Sequence, residues 1–206
     1  MGQQQKIVIR RAGEADCPQM MDLIRELAAF ERQPDAVTVS PEEFVECGFG
    51  PHPVWEAFVA ESVPASGESG ASGESVASEK SAAGGEAAAG GEAAAGKPSA
   101  GSAAKPVIVG ISLFYIRYST WKGRRLYLED IIVTETMRGR GIGKQLFDRT
   151  LRLCRERGYH GMVWQALDWN EPALAFYRKY GATFDNEWIN ISLETDHSSE
   201  TYQKHG

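Results

Sequence analysis

The spacing of apolar residues along the chain predicts alternating strands and helices. Residues 6–11 alternate between apolar and polar and predict a short strand. Apolar residues then recur at helical spacing over 20–30, and Asp16 is placed to cap that helix at its N-terminus. A second helix is expected to begin at Ser40, because Glu43 follows it at capping-box distance. The N-terminal part therefore predicts one strand followed by two helices.

The same patterns predict further strands and helices downstream. The remaining strands are expected at 55–61, 108–118, 125–133, 162–167 and 188–193. One helix follows the loop 138–143 and ends at Gly158, and another begins at Asn170 and ends at Gly181. The resulting order, β-α-α-β-(insert)-β-β-α-β-α-β, predicts an α/β fold with a mixed central sheet flanked by helices.

Residues 62–106 interrupt this pattern with a low-complexity segment of Ala, Gly, Ser and Glu that contains GEAAAG twice in succession. Its apolar content is nearly all alanine, which buries too little surface to offset the entropy of ordering, so a disordered insert is predicted. It joins two predicted strands as a hairpin tip, where lengthening a loop costs little. We expect one folded domain over 6–196, interrupted by this insert and followed by a flexible tail at 197–206.

Composition and charge narrow the classes of partner. The chain has 206 residues and a net charge of −6, which argues against nucleic acid because phosphate binding needs a clustered excess of Lys and Arg. No stretch approaches the ~18 apolar residues of a transmembrane helix, and the N-terminus does not resemble a signal peptide. Cys17, Cys47 and Cys154 share no metal or redox spacing. These features favour a cytoplasmic protein that binds neither membrane, nucleic acid nor metal.

A glycine-rich loop between a predicted strand and a predicted helix is the clearest candidate binding site. The three glycines of 138–143 let backbone amides face one point, and the helix N-terminus behind them favours an anion. Positive charge is added by Arg138, Arg140 and Lys144. The loop therefore predicts phosphate or pyrophosphate binding, with a plain structural turn as the alternative. Its GxGxG spacing fits neither the P-loop nor the dinucleotide fingerprint.

The motif RGRGIG, which follows a strand and opens a helix, resembles the acetyl-CoA signature Arg/Gln-x-x-Gly-x-Gly/Ala of the GNAT N-acetyltransferases. The resemblance covers nearly the whole chain outside the insert and is strongest to the diamine (spermidine/spermine) and thialysine acetyltransferases. It is carried by IRRAGEADC, LIRELAAFE, GFGPHP, YSTWKGRRLYLEDIIV, RGRGIG and DWNEPALAFYRKYGA. YSTWKGR and LDWN look more like the thialysine branch. The resemblance implies the GNAT fold, a homodimer, and metal-free acetyl transfer from acetyl-CoA to a small primary amine.

The resemblance also implies which residues contact the coenzyme. The pantetheine arm would pair with the backbone of Ile131, Ile132 and Val133. The pyrophosphate would be held by Arg138, Gly139, Arg140, Gly141, Ile142, Gly143 and Lys144. The rest of the coenzyme site would be lined by Asn170, Glu171, Pro172, Ala173 and Tyr177. Asn170 is also expected to cap its helix, and the two roles are compatible.

Acetyl transfer requires a neutral amine, and a carboxylate near the amine both binds the cation and accepts its proton. Glu129 lies in an otherwise apolar strand, so we expect it to be buried; a solvated strand edge is the alternative reading. In a regular strand Asp130 points to the opposite face, and the two acids share a site only if the strand bulges. By resemblance, Glu129 is the base and Asp130 a second contact to the cation.

The resemblance implies a proton donor and further substrate contacts. Tyr177 would protonate the departing sulfur, although a core aromatic is the alternative reading. Substrate contacts would come from Phe30, Glu31 and Glu187. Two other functions are compatible with the sequence. One is a GNAT enzyme acting on a protein or peptide amine, with an open rather than acidic groove, and the other is a noncatalytic acetyl-CoA sensor, which is expected to lack Glu129 or Tyr177.

Overall fold

The strands form one mixed sheet whose order follows the chain. In the computed structural model, which describes residues 5–64 and 106–193, the sheet has five strands in the order β1-β2-β3-β4-β5. They are β1 (Gln5–Arg11), β2 (Glu56–Pro64), β3 (Val107–Ser119), β4 (Gly123–Val133) and β5 (Met162–Val163). The first four strands pair antiparallel, whereas β5 pairs parallel to β4. The predicted α/β class with a mixed central sheet is confirmed.

The described part of the chain also forms four helices and two 3₁₀ turns. They are α1 (Cys17–Phe30), α2 (Pro41–Phe49), α3 (Ile142–Glu156), α4 (Glu171–Arg178) and the turns Glu14–Asp16 and Glu135–Met137. Ser40 caps α2 as predicted, because its hydroxyl accepts the N–H of Glu43 at 3.1 Å. Asp16 does not cap α1. Its carboxylate instead accepts the N–H of Gly13 and pairs with the Arg10 guanidinium, which corrects that expectation.

The core lies on both faces of the sheet. On one face, α1 and α2 pack on the strands through a single apolar cluster: Cys17, Met20, Met21, Leu23, Phe44, Trp55, Ala57, Val59, Ile108, Ile111, Leu113 and Ile132. Alternate strand residues point to the other face, which α3 covers. There the buried hydroxyls of Ser112 and Thr150 share a 2.7 Å hydrogen bond. The sheet is therefore held between helices, with β4 near its centre.

The C-terminal part departs most from the sequence prediction. The chain divides into two compact units, Met1–Trp164 and Gln165–Gly206, and each is described by itself. The strand β5 comprises Met162–Val163 rather than 162–167. Residues 188–193 do not form the predicted last strand, because a strand requires a ladder partner and this segment pairs with none of the described residues. The predicted insert, apart from 62–64 and 106, and the predicted 197–206 tail lie outside the described residues.

Candidate active site

The pairing of β3 with β4 is irregular at the two acids. Leu113 of β3 pairs with Asp130, but the next residue, Phe114, pairs with Leu128. Glu129 is therefore the extra residue of a β-bulge, which redirects the side chains around it. The bulge that the two acids would need in order to share a site is present.

Glu129 is exposed, which corrects the expectation that it is buried. Its apolar neighbour Leu128 is only 1% exposed, so the flanking residues do form the core. Glu129 itself has no partner across the ladder, because the bulge leaves it unpaired, and its carboxylate keeps its contact with water. Asp130 is half-buried and is the more enclosed of the two acids.

Three carboxylates contribute to one acidic cluster, which we define as Glu31, Glu129 and Asp130. The pKa of Asp130 is raised from 3.8 to about 6, first by burial and then by the negative charges of Glu129 and Glu31. Glu31 directly follows α1, and burial raises its pKa as well. Negative charges that raise the pKa of a neighbouring carboxyl group create a negative potential, which a bound cation relieves. The cluster is therefore suited to an ammonium group.

Two tyrosines next to the acidic cluster were missed by the sequence analysis. Tyr115 and Tyr127 pair across the β3–β4 hairpin, with ring centres 5.1 Å apart. The pKa of Tyr115 is raised by burial first, and then by the charge of Glu129 and a hydrogen bond to it. Arg117 lies over the Tyr127 ring at 5.7 Å. Counting residues outward from the turn at Gly123 pairs Tyr115 with Tyr127, so this pair beside the acidic cluster could have been found from the sequence.

The C-terminal half of β4 has an edge that β5 does not cover. The N–H of Thr134 bonds to β3, so by the alternation of an antiparallel ladder Ile132 also bonds to β3, and Ile131 and Val133 face away. β5 pairs only with the N-terminal half of β4. Ile131, and Val133 through its N–H, therefore offer backbone groups to an extended ligand. The Val133 carbonyl instead accepts a hydrogen bond from Arg138, and the backbone groups of Ile132 are directed to β3.

The glycine-rich loop has the backbone geometry of an anion site. Gly139 and Gly141 both have φ of 76°, in the left-handed region where glycine is favoured, and a Cβ at either would meet nothing within 4 Å. Gly141 is the N-cap of the 15-residue α3 and supplies no side-chain cap. Gly143 follows in the first turn, behind the buried Ile142. The first N–H groups of α3 thus face open space, which suits a diphosphate.

The three basic side chains around this loop already contact other protein groups. Arg138 Nε donates to the Val133 carbonyl at 2.8 Å, and Arg140 Nη2 lies 3.4 Å from the Thr136 carbonyl. Lys144 forms an i,i+4 ion pair with Asp148. Arg140 and Lys144 can turn toward an anion with little cost, because both interactions are exposed. The loop and the open β4 edge together fit a ligand with a diphosphate and an extended, amide-bearing arm.

Phe30, the last residue of α1, is exposed. The remaining predicted residues lie in the second unit. Asn170 caps α4 by accepting the N–H of Ala173 at 3.3 Å, and Glu171 and Pro172 occupy the first turn. Tyr177 is 6% exposed, and burial raises its pKa to about 12.

The Phe176 ring contacts the rings of both Tyr177 and Tyr180, with centres 5.4 and 5.1 Å apart. The aromatic cluster expected in α4 is therefore present. Glu187 is exposed.

Neither a membrane span nor a metal centre is evident among residues 5–64 and 106–193. No helix in this part is long and apolar enough to cross a bilayer. The same residues contain no group of three or more His, Cys, Asp or Glu side chains arranged to hold a metal ion. The acidic cluster is accordingly described by its protonation and charge.

A glycine loop opening a helix, beside a strand with a free edge and a half-buried acid, is typical of the class of acyl-coenzyme A-dependent transferases. The chain matches the model of the acetyltransferase (GNAT) family over residues 96–182. It is 34% identical to thialysine N-epsilon-acetyltransferase of Bos taurus over 176 residues, 85% of this chain and 84% of that protein. The chain belongs to the GNAT acetyltransferase family and is an acetyl-CoA-dependent N-acetyltransferase.

Other relatives agree with this assignment. Thialysine N-epsilon-acetyltransferase of Mus musculus is 34% identical over 90% of this chain and 91% of its own length. Spermidine/spermine N(1)-acetyltransferase-like protein 1 of Homo sapiens is 28% identical over 84% of this chain but 20% of its own length.

Solved structures share the fold. An aminoglycoside acetyltransferase from an uncultured soil sample, in complex with trehalose, has a TM-score of 0.59 at 19% identity, covering 92% of this chain and 97% of its own. Aminoglycoside N-acetyltransferase AAC(6')-Iy in complex with CoA has a TM-score of 0.58 at 14% identity, covering 95% and 99%. The GNAT fold predicted from the sequence is confirmed.

Proposed function

We propose that the acceptor is the primary amine of a small polyamine-like or thialysine-like molecule. The observation that carries this proposal is the acidic cluster at the β4 bulge, where Glu129 and Glu31 help to raise the pKa of Asp130. A cationic aminoalkyl group relieves that repulsion, whereas an uncharged acceptor does not. The names of the thialysine acetyltransferase relatives support the same acceptor class.

We propose that Glu129 accepts the proton of the amine. An alkyl amine has a pKa near 10.4, so releasing its proton at neutral pH costs about 4–5 kcal/mol. Glu129 is exposed and accepts a hydrogen bond from Tyr115, which orients the carboxylate toward the amine. Asp130 provides the second contact to the cation, and its pKa of about 6 predicts that amine binding near pH 6 and below displaces a proton from it.

Proton donation to sulfur, the further coenzyme contacts and the further substrate contacts are proposed for residues of the second unit and for Phe30. Bound acetyl-CoA supplies the thioester carbonyl and the leaving thiol. We assign proton donation to that sulfur to Tyr177, since burial raises its pKa to about 12 and keeps it protonated at neutral pH. At the N-terminus of α4, we propose coenzyme contacts by Asn170, Glu171, Pro172 and Ala173. We also propose that Phe30 and Glu187 contact the substrate.

We further propose that the enzyme acts as a cytoplasmic homodimer. Its free cysteines, Cys17, Cys47 and Cys154, are compatible with a reducing compartment. The second unit exposes a run of large apolar side chains that a partner copy would cover: Trp188 75%, Ile189 80%, Ile191 86% and Leu193 89%. Sedimentation of the purified full chain at micromolar concentration is expected to give twice the monomer mass. A monomer under those conditions would remove the dimer proposal.

Thiol release from acetyl-CoA tests the acceptor directly. The panel comprises spermidine, putrescine, thialysine, lysine and a histone-like peptide, with acetyl-CoA alone as the blank. Turnover of the small diamines or thialysine supports the proposal, and turnover of the peptide alone refutes it. Glu129→Gln should lower kcat with the best acceptor by about 10²-fold or more if Glu129 is the base. Its matched control is Glu61→Gln on β2, which lies between β1 and β3 and should change kcat less than twofold.

A further inference from the structure

Arg138 joins the glycine-rich loop to the end of α1. Its Nε donates to the Val133 carbonyl at 2.8 Å, and its Nη2 lies 3.4 Å from Glu26 Oε1. Its guanidinium carbon also lies 5.4 Å from the centre of the Phe30 ring. Glu26 and Phe30 are four residues apart and therefore share one face of α1. A single side chain thus contacts the end of β4 and two positions on the helix.

Glu26 makes a second connection between the same elements. Its Oε1 accepts the N–H of Glu135 at 2.7 Å, and Glu135 begins the 3₁₀ turn that leads into the loop. The side chains of Arg138 and Glu26 are 40% and 32% exposed, so their ion pair alone stabilises little. Together with the hydrogen bonds to the Val133 carbonyl and the Glu135 N–H, however, the ion pair defines how α1 lies against the loop. We call Glu26, Phe30 and Arg138 the α1–loop tie.

The tie ends next to the acidic cluster. Phe30 is followed directly by Glu31, whose negative charge acts on Asp130. We propose that Arg138 and Glu26 are positioning residues that hold the end of α1 in register with the glycine-rich loop, so that coenzyme bound at the loop orders the acceptor side of the site. The proposal rests on the proposed function in that the acidic cluster receives the amine.

A competing role makes the opposite prediction. If Arg138 served only as a phosphate ligand, its contacts with Glu26 and Phe30 would be incidental. Removing the Glu26 charge would then leave amine binding unchanged and would favour the anionic coenzyme slightly, because a nearby negative charge is lost. If the α1–loop tie positions the site, the same change weakens amine binding and leaves coenzyme binding unchanged.

Two variants separate these roles. Arg138→Lys keeps the positive charge but cannot reach Val133, Glu26 and the Phe30 ring at once, because an ammonium lacks the guanidinium fork. Glu26→Gln keeps an oxygen for the Glu135 N–H and loses the charge. Each is expected to raise KM for the amine about three- to tenfold at saturating acetyl-CoA. For Glu26→Gln, the dissociation constant of coenzyme A, measured by calorimetry, should stay within threefold, and kcat within twofold.

The double variant and a matched control complete the test. Arg138→Lys with Glu26→Gln should raise the amine KM no further than the worse single change, since both break one connection. Asp22→Asn removes an acid one turn earlier in α1, where it pairs with Arg25, and should leave the amine KM within twofold. The proposal would be overturned if the two single changes had additive effects on the amine KM in the double variant, or if only the affinity for coenzyme A fell.

Hydrogen exchange gives a readout that needs no acceptor. Adding coenzyme A to the wild-type protein should slow exchange of the amides at the end of α1, residues 27–31, by about threefold or more. That protection should disappear in Arg138→Lys and Glu26→Gln although both still bind coenzyme A. Equal protection in wild type and variants would refute the tie. Failure of every small amine in the acceptor panel would instead refute the proposed function and leave this exchange result standing.

Discussion

Asp130→Asn is expected to make the ligand-free protein more stable and the enzyme less active. The pKa of Asp130 in the folded protein is about 6, compared with its usual 3.8, so ionising Asp130 is harder in the folded than in the unfolded state. At about 1.4 kcal/mol for each pH unit, this difference corresponds to about 3 kcal/mol of lost stability above pH 7. Asparagine removes the charge and keeps the shape, so it should recover up to that amount.

The pH dependence identifies the carboxylate as the cause. Because the folded state binds the extra proton, the wild type loses stability as pH rises from about 4 to about 7. The gain from Asp130→Asn should accordingly be about 3 kcal/mol at pH 8, about 1.6 kcal/mol at pH 5 and under about 1 kcal/mol at pH 4. Urea unfolding of both proteins at these pH values, with ligand absent, measures the gain directly.

A matched change separates burial from charge repulsion. Glu129→Gln removes one charge that acts on Asp130, but burial is the larger cause of its raised pKa. We therefore expect Glu129→Gln to stabilise by less than half as much as Asp130→Asn at pH 8. The reasoning is refuted if Asp130→Asn destabilises the protein at pH 8, or if its effect does not vary between pH 4 and pH 8. Either result would mean that Asp130 is not a strained carboxylate in the folded protein.

Three further predictions follow from other parts of the molecule. Tyr177→Phe should lower kcat by about 10²-fold or more while coenzyme A still binds calorimetrically; an unchanged kcat would exclude Tyr177 as the proton donor. Gly141→Ala should cost about 1 kcal/mol of stability at φ 76° and weaken coenzyme A binding, and unchanged urea midpoint and affinity would contradict the left-handed cap. Glu56 has a lowered pKa, mainly through Arg157, so Glu56→Gln should lower the free energy of unfolding by about 0.5–1 kcal/mol at pH 7. That loss of stability should fade as the pH falls below the usual glutamate pKa of 4.5. A loss that persists at pH 3 would argue against the ion pair.

Much of the fold could be predicted because its signals are local. Ser40 caps α2 because its hydroxyl needs only the amide three residues later. The left-handed Gly139 and Gly141 likewise reflect a steric rule that acts within one residue. The backbone geometry of the glycine-rich loop could therefore be predicted from the sequence, and the resemblance extended that prediction to the family.

The acidic cluster could be predicted only in part, because it depends on how strands and helices meet. The identities of Glu129 and Asp130 came from the sequence, but the burial expected of Glu129 was wrong, since only the register of β3 against β4 creates the bulge. The predicted strand at 188–193 was wrong for a related reason. Alternating apolar residues indicate one apolar face of a possible strand, but the strand forms only where a neighbouring strand supplies the backbone hydrogen bonds.

The sequence by itself thus determined the order of elements, the glycine loop and the types of residue available for acetyl transfer. Tertiary structure alone decided that Glu31 acts on Asp130 and that Arg138 contacts Glu26, a residue 112 positions away in the chain. Neither pairing has a local signature, because folding energy is gained across the sheet and the helices rather than along the chain. Whether side chains so distant in sequence come close enough to interact depends on packing, and packing is a property of the assembled fold.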